Sequence, residues 1–330
     1  FGQVLPTDIK VFNNSITISG SYNGKIYAYY DNGDWYYESS TDSSGFTTTD
    51  AYVGFINLDG TWGSQHGWGG SSQYDAATAV APSPSGNYWY IAGTFANSVE
   101  FVGGTTLTSS GGSQDIWIMQ VTDGGEVEWV ISAGGTGTDT LRDMIVDTSD
   151  SLYAVGEFEG SLAAFGSHRL TSNAGGSDVF AAKVARDSNW NWAKQGGGAS
   201  DDKGFSIALS PDESAVYTVG QIAGASTFEN TGASQLISTS GPSDAFVAVS
   251  SASTGNWDQV FVAGGPSAGD RAWAIDIDSQ NITHTSGRFK GTSNGLAEFG
   301  SDDIASSGDY DIFVWKGLIE DDDDDRVPND

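Results

Sequence analysis

The sequence predicts an all-β fold built from five similar units, and two observations carry this prediction. Short apolar runs rich in β-branched and aromatic residues lie between clusters of Gly, Asp, Asn, Ser and Pro, which is the pattern of strands and turns. An aspartate that opens one of these runs recurs at spacings of 63 to 67 residues, as Asp50, Asp115, Asp178, Asp244 and Asp311. A tryptophan, a glycine and a phenylalanine recur with it in a fixed order, which indicates a repeat protein.

Each unit is predicted to contain four strands. First strands are expected over 8–11, 76–80, 142–146, 205–209 and 272–277, and second strands over 15–19, 89–92, 152–155, 216–219 and 282–286. Third strands are expected over 51–56, 116–121, 179–184, 245–249 and 312–315, and fourth strands over 127–132, 191–194 and 256–262. The third strands are nearly continuous apolar runs, which is typical of strands buried on both faces. We therefore predict a single five-bladed β-propeller of four-stranded antiparallel blades.

The two ends of the chain predict how the ring closes. The last unit has no fourth strand after 312–315, whereas residues 1–5 precede the first strand where a fourth strand would lie. We expect the N-terminal strand to close the ring, with Val4 and Leu5 pairing beside 312–315, because closure removes exposed sheet edges. The propeller is assigned to residues 1–317, with units at roughly 7–62, 63–129, 130–192, 193–257 and 258–317, a closing strand over 1–6, and an acidic linker or tail over 318–330.

Composition restricts the partners. Acidic residues number 43 and basic residues 13, so the formal net charge is −30. Phosphate recognition needs clustered Lys and Arg, so this balance argues against nucleic acid and against an anionic membrane surface. The absence of cysteine excludes disulfides and Cys-based zinc sites. Because no apolar run reaches 18 residues, no membrane span is expected.

One group of motifs resembles a known family. The segments are Gly156-Glu157-Phe158 with Phe165-Gly166, the run 178–183 (DVFAAK) and the run 192–197 (WAKQGG). They resemble the SBBP-type β-propeller repeats of bacterial and archaeal surface and secreted proteins, and the resemblance covers roughly residues 1–317. It implies a secreted or cell-surface protein, and it implies no shared catalytic residues. The first unit departs from the family pattern over residues 25–46.

The repeated aspartates allow two interpretations. They comprise the five that open the third strands and a second set at the joint between units, Asp75, Asp139, Asp202 and Asp270. Each carboxylate could accept hydrogen bonds from loop N–H groups and fix a turn, which is the interpretation we favour for a feature present in every unit. A ring of cation sites would instead need clusters of oxygen ligands.

Catalytic motifs are sparse. No G-x-S-x-G elbow is present, and His66, His168 and His284 lie at unrelated points of the repeat. Inner strands offer Asp8, Asp143, Asp276 and Asp278, with Arg142 and Arg271 nearby, and a glycosidase would need two of these carboxylates roughly 5–10 Å apart. We expect the chain not to be an enzyme, with a glycan-active enzyme as the alternative.

An aromatic cluster breaks the repeat in the first unit. It comprises Tyr27, Tyr29, Tyr30, Trp35, Tyr36 and Tyr37. Loops mounted on a rigid scaffold often carry function, so this cluster is a candidate binding surface for a protein partner or a sugar. Alternatively, the rings fill the core of the first blade.

The acidic tail is a candidate calcium site. Asp321, Asp323 and Asp325 alternate along the chain and are followed by Val327-Pro328 and Asp330. This resembles one partial copy of the calcium repeats of thrombospondin type 3 linkers, and alternating carboxylates suit Ca²⁺. Arg326 stands where that family has a glycine, so we expect weak binding. A solvated charge run is the alternative.

Together these features predict an extracellular structural, adhesive or interaction module of a larger surface protein or assembly, without catalytic activity. Its expected partners are other proteins, further copies of itself, or surface glycans. The alternative is a carbohydrate-binding or glycan-cleaving propeller.

Overall fold

The computed structural model describes residues 3–13, 15–23, 25–30, 33–38, 49–69, 75–101, 104–122, 126–172, 176–228, 235–266, 269–290, 297–299, 302–304, 306 and 309–318. Over these ranges the chain is almost entirely β, with one short 3₁₀ turn at Ser110–Gly112. The all-β prediction is therefore confirmed. Among the described residues no helix is long and apolar enough to cross a membrane.

The strands follow one pattern through the chain. The first unit contains β1 (Gln3–Phe12), β2 (Ser15–Asn23), β3 (Lys25–Tyr30), β4 (Gly33–Glu38), β5 (Thr49–Asn57) and β6 (Trp62–Trp68). The second contains β7 (Ala76–Pro82), β8 (Tyr88–Ala96), β9 (Ser98–Phe101), β10 (Thr105–Thr108), β11 (Gln114–Thr122) and β12 (Val127–Ala133). The third contains β13 (Thr140–Val146), β14 (Leu152–Phe158), β15 (Ser161–Phe165), β16 (His168–Thr171), β17 (Asp178–Val184) and β18 (Trp190–Gly198).

The last two units continue the pattern. The fourth contains β19 (Lys203–Leu209), β20 (Ala215–Ile222), β21 (Ala225–Phe228), β22 (Gln235–Ser238), β23 (Asp244–Ser251) and β24 (Trp257–Ala263). The fifth contains β25 (Arg271–Ile277), β26 (Ile282–Phe289), β27 (Ala297–Phe299), β28 (Asp302–Ile304) and β29 (Asp311–Leu318). Each unit inserts a two-stranded hairpin between its second and third main strands, and the sequence patterns did not predict these hairpins.

The main strands form five successive antiparallel sheets. Sheet I is β1-β2-β5-β6, sheet II is β7-β8-β11-β12, sheet III is β13-β14-β17-β18, sheet IV is β19-β20-β23-β24 and sheet V is β25-β26-β29. The hairpin β21-β22 of the fourth unit also pairs with β18 of sheet III. Residues from the first strand of every sheet line one central cavity. This arrangement is an all-β architecture of the β-propeller type.

Apolar cores lie between successive sheets. The seam between sheets II and III, for example, buries Ile116 and Ile118 against Met144, Ala154 and Phe180. Corresponding cores join sheets I and II, sheets III and IV, and sheets IV and V. The third strand of an internal sheet contributes to the seams on both of its sides, which explains its nearly continuous apolar sequence.

The marker glycine of the second strand has a steric role. A Cβ at Gly156 would collide with the carbonyl oxygen of Thr140 on the first strand and with the ring of Phe180 on the third. Gly93, Gly220 and Gly287 meet the equivalent carbonyls of Ala76, Lys203 and Arg271. Glycine recurs there because the first strand approaches too closely for any side chain.

The prediction that the N-terminal strand closes the last sheet is wrong in its pairing. Val4 and Leu5 lie opposite Tyr22 and Ser21 in sheet I, not beside β29. The physical reason is that β1 continues through a bulge at Thr7, so its first residues lengthen the ladder with β2. In the described part of the chain, β29 is paired with β26, and sheet V has three strands.

Candidate functional site

The central cavity is one candidate site and has a volume of about 880 Å³. Its lining depends on a bulge in each first strand, where one extra residue interrupts the ladder. Bulges re-aim a side chain, and here all five extra residues line the cavity: Thr7, Thr78, Arg142, Phe205 and Trp273. Sequence periodicity could not find them, because a bulge shifts the alternation by one residue without any change of composition.

The half-buried carboxylate of Asp143 lies at this cavity, and both of its oxygens accept hydrogen bonds. Its Oδ2 accepts from the hydroxyl of Ser206 at 2.7 Å and from the N–H of Ile207 at 3.1 Å, and its Oδ1 accepts from the N–H of Met144 at 2.8 Å. Burial raises the pKa of Asp143, and the bonds from Ser206 and Ile207 oppose that rise. The side chain thus joins sheet III to sheet IV.

Asp8 has the equivalent role between sheets I and II. Its Oδ2 accepts from the N–H of Val80 at 3.0 Å, and its Oδ1 accepts from the N–H of Ile9 at 2.8 Å. Ser206, at the same position of sheet IV, accepts the N–H of Ile275 through its hydroxyl at 3.4 Å. These three oxygens connect neighbouring first strands that form no ladder with each other.

The other two candidate acids have different environments. Asp276 lines the cavity and accepts the N–H of Ile277 at 2.8 Å. Asp278 lies in the turn before β26, where it accepts the N–H of Ile282 at 3.0 Å and lies 3.1 Å from His284 Nε2. The described cavity lining does not include Asp278. Position on a predicted inner strand therefore did not identify which of these carboxylates line the cavity.

An aromatic pair also lines the cavity. The ring centroids of Phe205 and Trp273 are 4.5 Å apart, and Trp273 is 43% exposed. Arg142 is engaged with Glu157 through a bidentate ion pair. The sequence analysis did not single out Phe205 or Trp273, although each lies two residues before a buried seam isoleucine, Ile207 or Ile275.

The aspartates at the joints between units are structural clamps. Asp202 Oδ2 accepts the N–H of Gly198 at the end of the fourth strand at 2.6 Å, and its Oδ1 accepts the N–H of Ala223 after the second strand at 2.7 Å. Asp139 and Asp270 bind the equivalent N–H groups of two other units. Asp75 accepts the N–H of Ala96 at 3.1 Å. These bonds support the turn-fixing interpretation.

The aspartates that open the third strands are also buried in the four units with complete sheets: Asp50, Asp115, Asp178 and Asp244. Asp244 Oδ2 accepts the N–H of Ser240 at 2.8 Å, and Asp115 Oδ2 accepts the N–H of Ser110 at 2.9 Å. Asp311 is half-buried at the start of β29. Over the described ranges, no group of three or more His, Cys, Asp or Glu is arranged to hold a metal ion.

Burial raises the pKa of several of these carboxyl groups above the ordinary value for aspartic acid. It raises the pKa of Asp139 to about 7 against the lowering effect of the Gly135 N–H, and the charge of Asp115 raises it further. Burial likewise raises the pKa of Asp115, Asp202 and Asp270 to about 6. Because such shifts arise at three of the joints between units, they follow from the repeated architecture and do not mark one particular site.

Two other predicted sites are only partly within the described residues. The aromatic cluster falls on the β3–β4 hairpin, in which Tyr27 lies opposite Tyr36 and Ala28 opposite Trp35. Tyr29 and Tyr30 lie on β3, and Tyr37 lies on β4. The side chains of this hairpin lie outside the described residues, as does the acidic tail with Asp321, Asp323, Asp325 and Asp330.

No family model matches the chain, and no curated protein matches it. Among solved structures it is similar to the hydrazine synthase of Kuenenia stuttgartiensis, at 11% identity and a TM-score of 0.38, over 76% of this chain and 55% of that chain. It is similar to a Dos1 propeller at 9% identity and a TM-score of 0.38, over 86% of this chain and 67% of that one. A protein of unknown function from Bacteroides thetaiotaomicron VPI-5482 matches at 10% identity and a TM-score of 0.20, over 89% of this chain and 82% of that chain.

These likenesses are distant, and this chain spans only about half the length of the hydrazine synthase chain. At such TM-scores they carry no information about activity. The class of protein is defined by the sheets themselves, which give an all-β protein of the β-propeller type.

Proposed function

We propose that this chain is a five-bladed propeller that serves as a non-catalytic structural and interaction module of an extracellular assembly. The observation that carries the proposal is that the first and last sheets of the repeat each leave an apolar face exposed, whereas the equivalent faces of the other sheets are buried. The cavity chemistry agrees with it, because Asp8 and Asp143 hold sheets together through hydrogen bonds to backbone N–H groups.

The first unmatched face belongs to sheet V. Ile312 and Val314 on β29 are 82% and 74% exposed. The residues at the same positions of the other four third strands are all buried in seams: Ala51, Val53, Ile116, Ile118, Val179, Ala181, Ala245 and Val247. Sheet V therefore presents one half of a normal seam to its surroundings.

The second unmatched face belongs to sheet I. Ile9 on β1 is 59% exposed, whereas its counterparts Val80, Met144, Ile207 and Ile275 are buried. Its N–H is already satisfied by Asp8, as the N–H of Met144 is by Asp143 in the buried seam between sheets II and III. This face can thus be covered without leaving that buried donor unpaired.

The occupant we assign to these faces is a second copy of the chain. The face of sheet V is the half-seam that fits the face of sheet I, so head-to-tail contact between copies would bury both. Such a contact is heterologous and can propagate into a ring or a filament. An exposed apolar face of this kind is typical of an interaction surface.

The test is the mass of the full chain by light scattering over a range of concentrations. We expect concentration-dependent assembly that is abolished by Ile312→Asp and by Ile9→Asp, whereas Leu58→Asp, at an exposed leucine on a turn, leaves it intact. A chain that stays monomeric, with Ile312→Asp lowering its stability as strongly as Val179→Asp, would show instead that the two faces close on each other within one molecule.

A second candidate function is carbohydrate binding at the mouth of the central cavity. Trp273 supports it, because an indole that is 43% exposed beside a polar cavity suits the face of a sugar ring. Binding of polysaccharides in affinity electrophoresis should be lost in Trp273→Ala and kept in Trp315→Ala, which removes a tryptophan of β29, on the far side of β26 in the same sheet.

A further inference from the structure

Two arginines lie directly opposite each other at one end of sheet V. Arg271 opens β25, and its partner in the ladder with β26 is Arg288. The equivalent pairs in the other sheets are Leu5 with Ser21, Ala76 with Thr94, Thr140 with Glu157, and Lys203 with Gln221. Among these five equivalent pairs, the fifth sheet alone opposes two cations, and directly opposed like charges are destabilising.

Neither arginine is neutralised within the described part of the chain. Neither guanidinium group forms an ion pair or a side-chain hydrogen bond there, and the Nε atoms of both are buried without a partner. The carboxylate of Asp270 lies near Arg288, but its oxygens accept the N–H groups of Gly265 and Lys290. In a protein with 43 acidic and 13 basic residues, two adjacent arginines whose guanidinium groups form no ion pair with a described carboxylate indicate a site for an anion.

The pKa of Arg271 agrees with this geometry. Burial lowers it, and the charge of Arg288 lowers it further. Arginine stays protonated in proteins regardless, so the repulsion between the two groups persists and an anion between them would relieve it.

Aromatic rings flank the pair on both sides. The Arg271 Cζ lies 5.5 Å from the ring centroid of Trp273, and the Arg288 Cζ lies 4.3 Å from that of Tyr310. Tyr310 is 37% exposed. Trp273 also lines the central cavity, so the arginine pair extends that surface toward the rim of sheet V. The ammonium group of Lys290 lies 5.4 Å from the centroid of the same Tyr310 ring, and its charge is paired with Asp309.

We propose that Arg271 and Arg288 bind the anionic substituent of an acidic saccharide, with its sugar ring against Trp273 or Tyr310. The guanidinium groups present planar donor sets that suit a carboxylate or a sulfate. The half-exposed rings supply the apolar contact that a sugar needs and a simple inorganic anion does not. This proposal rests on the carbohydrate-binding candidate for the cavity mouth and is independent of assembly through the end sheets.

The experiment is calorimetric titration of the full chain at low ionic strength with an oligogalacturonate, a sulfated dextran and neutral dextran. We expect both acidic saccharides to bind and neutral dextran to bind at least about tenfold more weakly. Sodium acetate and sodium sulfate serve as anions without a ring, and both should be weak competitors. An acidic peptide is also tested as a competitor, because it carries carboxylates but no sugar ring.

Arg288→Glu is the decisive variant. It places a carboxylate opposite Arg271, and Glu157 at the same position of sheet III already pairs with an arginine. The variant should therefore fold, melt at or above the temperature of the parent, and lose binding of acidic saccharides. Lys203→Gln alters the counterpart of Arg271 in sheet IV as a control and should bind as the parent does.

The outcomes separate the two proposals. Unchanged binding by Arg288→Glu would overturn the arginine site. Equal binding of neutral and acidic saccharides would also overturn it, but it would still support carbohydrate binding at the cavity mouth. If no saccharide binds, both fail. Acetate, sulfate or the acidic peptide competing as well as the saccharides would overturn the assignment to a sugar.

Discussion

The carboxylate of Asp143 on β13 accepts the backbone N–H of Ile207 on β19 at 3.1 Å, across the gap between two sheets that form no ladder. The same carboxylate oxygen accepts the hydroxyl of Ser206 at 2.7 Å. One half-buried side chain therefore supplies the acceptor that a neighbouring strand would otherwise supply. These hydrogen bonds give the acid a structural role at the central cavity.

Asp143→Asn should lower the free energy of unfolding by about 1–3 kcal/mol, because an amide nitrogen replaces one acceptor and leaves a buried donor poorly paired. Urea unfolding followed by tryptophan fluorescence measures it. Asp276→Asn is the matched control, because Asp276 lines the same cavity and accepts only the N–H of its own neighbour among the described contacts. A loss of polysaccharide hydrolysis in either variant would contradict the non-catalytic proposal.

Stability should fall as the pH rises from about 4 to about 7. The folded pKa of Asp139 is about 7, above the value of about 4 in an unfolded chain, so the folded protein binds more protons in that interval. Stability from this group is complete below pH 4 and is lost as the pH passes through 7. Asp115, Asp202 and Asp270 act in the same direction.

Denaturant midpoints at pH 5, 6, 7 and 8 check this prediction. Asp139→Asn should flatten the profile, because the amide cannot titrate. Asp187→Asn alters an exposed turn carboxylate and should leave the slope unchanged. A stability that rises steadily from pH 5 to pH 8 would show that these carboxyls are stabilised as anions in the folded state, for example by bound cations.

The β3–β4 hairpin is expected to be a partner surface and not part of the core. Tyr36→Ala should then change the free energy of unfolding by no more than about 0.5 kcal/mol. Tyr90→Ala removes a buried tyrosine of β8 for comparison and should cost about 3–5 kcal/mol. If Tyr36→Ala costs as much as Tyr90→Ala, the rings of the hairpin fill the core of the first blade.

The acidic tail should bind calcium weakly, with a dissociation constant on the order of 10⁻³ M, because one partial repeat offers few oxygen ligands. Calorimetry of the full chain with CaCl₂ measures it. The triple change Asp321→Asn, Asp323→Asn and Asp325→Asn should abolish this binding. Equal heats from both proteins would assign any bound calcium to the propeller and leave the tail as a solvated charge run.

The sequence by itself determined the all-β class, the repeat and the nature of its markers. Strand patterns report which faces are buried, and an apolar run between turn residues such as 179–184 can be recognised without knowledge of its neighbours. The marker glycines and aspartates were equally visible, because the close approach at Gly156 and the clamp at Asp202 recur with every unit.

Only the tertiary structure decided the details of the candidate sites. The bulges that turn Phe205 and Trp273 into the cavity leave no trace in composition, and Val4 pairs with Tyr22 because β1 extends its own ladder. The opposition of Arg271 and Arg288 depends on the register between two strands. The physical reason is general: local sequence specifies burial and turns, whereas register and contacts between sheets depend on residues far apart in the chain.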